Sequence, residues 1–194
     1  MPTQRTGDPV MTVPNVLSAT RIAVTPVLVW LIVSDRRMAA TVLVAAMGIT
    51  DFLDGYIARH TGTVSELGVL LDPVSDRIAV IATLATLLWT GTLPAWLGWP
   101  VLARDILLSV VFLVLARSGF GSPRVRWVGK AATFLLLTAL PMLVLAGPPA
   151  TASGPLRPAA LAVFAAGGVL YYVAAGAYIL DIKGWLRARR AARG

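Results

Sequence analysis

Residues 51–77 read DFLDGYIARHTGTVSELGVLLDPVSDR, and they hold five of the nine acidic residues of the 194-residue chain: Asp51, Asp54, Glu66, Asp72 and Asp76. On either side the sequence is apolar for about the 20 residues a membrane-spanning helix needs. Asp51 and Asp54 are three apart at the end of one apolar run, and Asp72 and Asp76 are four apart at the start of the next. Either spacing puts a pair on one face of a helix. With a short connection between the runs, the two faces can meet. Four carboxylates gathered in a low dielectric repel one another strongly unless cations neutralise them. All-oxygen ligation suits Mg²⁺, Mn²⁺ or Ca²⁺ and not zinc or copper. Two metals about 3.5–4 Å apart are the usual clamp for phosphates in a displacement. The plainer alternative, interfacial aspartates paired with nearby arginines, suits one such residue better than four at matched spacing, because ionisable groups at membrane depth are costly and mark function.

Outward from this stretch, composition sets the class. Hydrophobic residues make up 57% and charged residues 13%, against about 45–50% and 25% in soluble domains. Mean hydropathy is +0.78. The net charge of +8 does not call for nucleic acid as partner, because cytoplasmic Lys and Arg in a membrane protein give the same excess. The absence of cysteine excludes disulfides and thiolate metal sites. The first apolar stretch lacks a small-residue cleavage site and reads as a retained helix.

Six transmembrane helices are expected, at 16–34, 38–58, 71–91, 94–116, 127–147 and 158–181, separated by glycine- and proline-marked turns. Trp89, Trp96, Trp99, Trp127 and Trp185 fall near helix ends, as in an aromatic belt. Counting Lys and Arg on the two sides gives thirteen against three when both termini are cytoplasmic; Arg36, Arg37 and Arg157 are the three, and Arg104 lies within a helix. The positive-inside rule selects that orientation and puts the aspartates at the cytoplasmic surface. The expected organisation is a cytoplasmic segment 1–14, a six-helix membrane domain 15–182 and a tail 183–194. That tail, KGWLRARRAARG, is either a basic segment drawn to anionic headgroups or a topology signal.

Small residues accompany the carboxylates. Gly55 follows Asp54, Gly68 lies one helical turn before Asp72, and Ala58 keeps the same face open; a missing Cβ lets backbone or ligand approach. Each also serves ordinary helix packing. Arg59 follows in register, as a phosphate ligand or an interface anchor. The whole run, D-x2-D-G-x2-A-R-x8-G-x3-D-x3-D, resembles the signature of the CDP-alcohol phosphatidyltransferase family, with Asp51, Asp54, Gly55, Ala58, Arg59, Gly68, Asp72 and Asp76 at its positions.

That resemblance implies an all-α membrane enzyme that displaces CMP from a CDP-linked lipid with an alcohol hydroxyl. Asp51, Asp54, Asp72 and Asp76 would hold a two-metal centre of Mg²⁺ or Mn²⁺, with Asp76 also the general base. Gly55, Ala58, Arg59, Gly68 and Ser65 would line the CDP moiety. In PNVLSATR, Asn15 and Ser18 would help hold it, or would simply start a helix as N-caps. Around LLDPVSDR the resemblance is to the branch of phosphatidylglycerophosphate and cardiolipin synthases. Glycerophosphate-using relatives tend to carry Arg-Glu in the fourth helix and a second arginine two turns on. This chain has Arg104-Asp105, then Val111 and Phe112, which favours phosphatidylglycerol over glycerol 3-phosphate as acceptor. Arg104 and Lys130 would bind the acceptor phosphate; alternatively Arg104 pairs with Asp105 or a site aspartate, and Lys130 is a topology charge. The expected partners are CDP-diacylglycerol, the acceptor alcohol and the bilayer of a bacterial plasma membrane. A homodimer is consistent with FAAGGVLYYVAAGAY, whose small residues pack equally well within one protomer. Competing classes are a divalent-cation transporter, disfavoured because the acids gather at one surface, and an inactive lipid-binding scaffold, disfavoured by the complete motif. His60, the lone histidine, reads as a solvated loop residue.

Overall fold

A computed structural model describes residues 13–61, 66–116, 127–152 and 154–191, with side chains described for 18–50, 75, 77–107, 110–111, 127–152 and 154–177. Among the described residues the chain is entirely helical: α1 (Val13–Val33), α2 (Arg37–Thr61), α3 (Glu66–Trp89), α4 (Ala95–Ala116), α5 (Trp127–Ala146) and α6 (Leu156–Ala191). These are the six expected apolar runs, with their ends shifted; the two largest shifts are in α3 and α6. α3 begins at Glu66 and not at 71, because an acidic residue at a helix N-terminus and the leucines behind it favour the helical state. α6 continues through the basic stretch to Ala191, where Ala, Arg, Leu and Lys are all strong helix formers.

Three connections meet at one end of the molecule. The turn between α1 and α2 places Asp35 at φ 55°, a conformation that aspartate tolerates better than most residues. Arg37 Nε donates to Asp35 Oδ1 at 2.7 Å and its second nitrogen to Oδ2 at 3.2 Å. Those hydrogen bonds hold the exposed Asp35 carboxyl below its ordinary pKa. The same guanidinium crosses to the α5–α6 connection and donates to the Ala146 carbonyl at 3.3 Å and to Thr151 Oγ1. Gly147, at φ +71°, makes room for it: a Cβ there would lie 2.4 Å from Arg37 Cζ. From the start of α6, Arg157 donates to the Thr92 carbonyl in the α3–α4 turn at 3.3 Å. A pocket of about 370 Å³ opens between the three connections, with Asp35, Arg37, Thr90, Thr92, Gly147 and Thr151 among its walls. Arg36, Arg37 and Arg157, the minority group in the charge count, thus belong to connections gathered at one end.

Below that end lies the apolar core. Leu28, Leu84, Leu87, Leu93, Leu143 and Phe164 are all at most 2% exposed and belong to one cluster. The most extensive helix pairing is α5 with α6. Its approach is close because Gly167 faces Leu135 and Leu136, where a Cβ would sit 3.1 Å from each. α1 packs on both α2 and α3, and α5 also touches both; α4 packs on α3 and α6. The outer surface is apolar: Trp30, Val42, Ile49, Leu107, Phe134 and Val169 are all exposed. Trp89, Trp96 and Trp99, at the end of α3 and start of α4, are exposed near the gathered turns, and Trp127 is exposed at the start of α5; Trp185 lies outside the described side chains. Trp127–Ala146 and Leu156–Ala177 are long and apolar enough to cross a membrane.

Candidate active site

Asp51 and Asp54 lie on α2, and Asp72 and Asp76 on α3; their side chains are outside the described set. Their levels follow from helix rise. Asp51 is fourteen residues past the start of α2 and Asp76 thirteen before the end of α3, so each stands about 20 Å along its helix from the gathered turns. Asp54 and Asp72 are both seventeen residues along, about 26 Å. The backbone therefore sets one aspartate of each pair at each of two matching levels, on helices that share α1 and α5 as neighbours. Gly55, Ala58 and Arg59 continue along α2, and Gly68 is in the first turn of α3; the side chains of Ala58 and Arg59 lie outside the described set. His60, expected in a loop, is in the last turn of α2, because the helix extends past the expected end at 58. Asn15 is in the first turn of α1, with its side chain outside the described set, and Ser65 lies outside the described residues altogether. Among the described residues no three metal-ligating side chains come together, and the four aspartates are not in that set. As a donor set, four carboxylates suit a hard divalent cation such as Mg²⁺ or Mn²⁺.

The described side chains next to the motif are unusually polar for a helix bundle. On α1, Ser18 is 2% exposed and Arg21 8%; one turn on, Thr25 bonds back to the Arg21 carbonyl at 2.7 Å. Ser75 on α3, between Asp72 and Asp76, is fully buried. Ser18, Arg21 and Ser75 all make further polar interactions.

On the other side of α3, three helices contribute to one charged cluster. Arg77, the residue after Asp76, bonds Asp105 of α4, and the Tyr171 hydroxyl of α6 donates to the same carboxylate oxygen. Arg77 also donates to the Tyr171 hydroxyl at 3.1 Å. Arg104 lies flat on the Tyr171 ring, 3.4 Å from its centroid, and donates to the Tyr171 carbonyl at 3.3 Å. Its distance to Asp105 is 3.8 Å. The expected alternative of an Arg104–Asp105 pair is therefore realised only loosely, and Arg77 is the carboxylate's principal partner. Tyr172 fixes α6 to α4 beside the cluster, donating to the Pro100 carbonyl at 2.7 Å.

The cluster can bind an anion. The Arg104 side chain is 7% exposed, yet its Nε, buried, has no hydrogen-bond partner. A buried unpaired guanidinium donor is expensive and is relieved by a phosphate oxygen. Arg77 is 43% exposed and forms the open side. Lys130, expected to share this role, is exposed in the first turn of α5 and lies 6.0 Å from the Trp127 ring. Among the described residues nothing connects it to Arg104. Sequence reading assigned Arg21 and Arg77 to topology and passed over Tyr171. The signal available was position: Arg77 abuts the motif, and Arg21 lies eight residues into an otherwise uncharged helix.

The chain is similar to known proteins. The sequence model of the CDP-alcohol phosphatidyltransferase family matches residues 11–180. A cardiolipin synthase (CMP-forming) of Streptomyces coelicolor is 37% identical over 95% of this chain and 89% of its own length. A putative cardiolipin synthase of Mycobacterium tuberculosis is 36% identical over 72% of this chain and 68% of its own. A probable phosphatidylglycerophosphate synthase of the same organism is 31% identical over 85% and 78%. Enzymes of this family transfer a phosphatidyl group from a CDP-alcohol to an alcohol acceptor, are membrane-associated, and generally use divalent metal ions. The chain belongs to the CDP-alcohol phosphatidyltransferase family and is a phosphatidyltransferase.

Proposed function

We propose that this enzyme transfers the phosphatidyl group of CDP-diacylglycerol to the free primary hydroxyl of phosphatidylglycerol, releasing CMP and forming cardiolipin. All six helices cross the membrane, with the termini and the aspartates on the cytoplasmic side of a bacterial plasma membrane. Asp51, Asp54, Asp72 and Asp76 hold two Mg²⁺ or Mn²⁺ ions, which neutralise the pyrophosphate and stabilise the departing CMP. Gly55, Ala58 and Gly68 leave space for the pyrophosphate, and Arg59 pairs with it. Ser65, Asn15 and Ser18 contact the cytidine end; the burial of Ser18 fits a ligand-facing hydroxyl and equally a packed one. Asp76 accepts the proton of the attacking hydroxyl. The hydroxyl oxygen forms a bond to the phosphatidyl phosphorus, the bond from that phosphorus to the bridging oxygen breaks, and CMP leaves with the electron pair. Arg104 holds the acceptor's phosphate; Lys130, exposed and apart from it, acts at most at the surface.

The observation that carries the acceptor is the 37% identity over 95% of the chain to a cardiolipin synthase. The second reading, glycerol 3-phosphate as acceptor, has support in the 31% identity to a phosphatidylglycerophosphate synthase. The test is CMP release by purified protein with CDP-diacylglycerol and Mg²⁺ or Mn²⁺, offered each acceptor in turn. Release with phosphatidylglycerol, a cardiolipin product and loss of activity on chelation are expected. Release with glycerol 3-phosphate alone establishes the second reading; activity that survives exhaustive chelation refutes the metal role.

A further inference from the structure

Phosphatidylglycerol and glycerol 3-phosphate present the same geometry to the reacting centre. In both, three carbons separate the attacking hydroxyl from the phosphate, so one site at one distance from Asp76 receives either phosphate. They differ in charge. The diester carries one negative charge, and the monoester, with its second pKa near 6, carries about 1.5 to 2 at neutral pH. Among the described residues the cluster that includes Arg77, the neighbour of Asp76, has matching charges: Arg77 and Arg104 supply two positives, and Asp105, 1% exposed, supplies one negative.

We infer that Asp105 is a specificity-determining residue of the proposed transfer: by cancelling Arg77 it leaves Arg104 as the single surplus cation, matched to a phosphodiester acceptor over a phosphomonoester. The inference rests on the proposed function. Four observations carry it. Asp105 accepts from Arg77 and from the Tyr171 hydroxyl on one oxygen, so among the described residues Arg77 is the cation it meets most closely. Arg104 is held by the ring and carbonyl of Tyr171 and stands 3.8 Å from the carboxylate. Arg104 Nε is buried without a partner, as a donor awaiting a ligand would be. Arg77 directly follows Asp76 on α3, so the cluster is anchored one residue along the backbone from the base proposed for the transfer. A charge in this low dielectric acts strongly on another, so the cluster's net charge discriminates where geometry cannot.

The experiment measures kcat and KM for both acceptors with wild-type enzyme, Asp105→Asn, Asp105→Glu, and the double variant Arg77→Gln with Asp105→Asn. CDP-diacylglycerol binding is followed separately. In Asp105→Asn the surplus becomes two charges. The kcat/KM ratio of glycerol 3-phosphate to phosphatidylglycerol should rise about tenfold or more, mainly through a lower KM for glycerol 3-phosphate, while CDP-diacylglycerol affinity stays as in wild type. Asp105→Glu keeps the negative charge and, without the second arginine of the glycerophosphate-using relatives, should keep the wild-type preference. The double variant returns the surplus to one and should again prefer the diester; it removes Arg77 and Asp105 together and leaves neither half of that ion pair without its partner, so it serves even where Asp105→Asn does not fold. Equal loss with both acceptors in Asp105→Asn, or a double variant that prefers glycerol 3-phosphate, overturns the inference and leaves the proposed function standing. A wild-type enzyme that releases CMP with neither acceptor overturns both.

Discussion

At the scale of single residues, the proposed chemistry gives one motif aspartate a task beyond metal binding. Asp76 is the one whose proposed role in proton transfer separates turnover from binding. Replacing it with asparagine keeps shape and hydrogen-bonding reach and removes the base. Asp76→Asn should lower kcat by about 10²-fold or more, the usual contribution of general base catalysis, while the variant folds and retains much of its CDP-diacylglycerol binding. Near-wild-type turnover in that variant would move the base elsewhere in the site. The residue scale is also where sequence reading is most uneven. The aspartates announce themselves because four acids at helical spacing are conspicuous in apolar surroundings. The cluster beside them does not, because its partners are remote in sequence: 28 residues separate Arg77 from Asp105, and 66 separate Asp105 from Tyr171. Arg77 reads as one cytoplasmic charge among many until α4 and α6 are packed against α3. Asp105 reads as the partner of its neighbour Arg104 because adjacency is all that a sequence displays; adjacent helical residues do not face each other, and the structure gives the carboxylate to Arg77.

Elements were legible as elements. An apolar run of about 20 residues bounded by glycine and proline reads as a helix, and among the described residues the six runs are six helices. Less legible was how their turns are tied. Arg37 spans two connections because Gly147 offers a left-handed backbone and no Cβ. Gly147→Ala introduces a methyl group at 2.4 Å from Arg37 Cζ and forces an alanine into a left-handed conformation, which costs roughly 1–2 kcal/mol before any displacement of the guanidinium. The variant should unfold several degrees lower in detergent. The tie lies about 20 Å along the helices from Asp51 and Asp76, so activity per folded molecule should be unchanged below the transition. A loss of turnover without a loss of stability would mean that the turn end communicates with the site.

For the whole molecule, the arrangement argues for a division between a structural end and a chemical end. Three connections meet where Arg37 and Arg157 cross-link them, and the motif lies far along α2 and α3 from that end. In the proposed arrangement of six alternating membrane helices, both termini return to the chemical end. In the orientation we propose that end is cytoplasmic, because the sequence count of Lys and Arg is then thirteen against three. The supply of CDP-activated lipid and the release of water-soluble CMP make the same demand. Because the chain has no cysteine, single cysteines report position without background. Ala150→Cys, exposed in the α5–α6 connection, should react with a membrane-impermeant maleimide in intact cells. His60→Cys, near the end of α2, should react only after the membrane is permeabilised. The reverse pattern would place the aspartates outside the cell, where CDP-diacylglycerol is not made. Reaction of both from one side would mean that α2 and the α5–α6 connection do not lie on opposite faces of the membrane, and the alternating six-helix arrangement would fall with it.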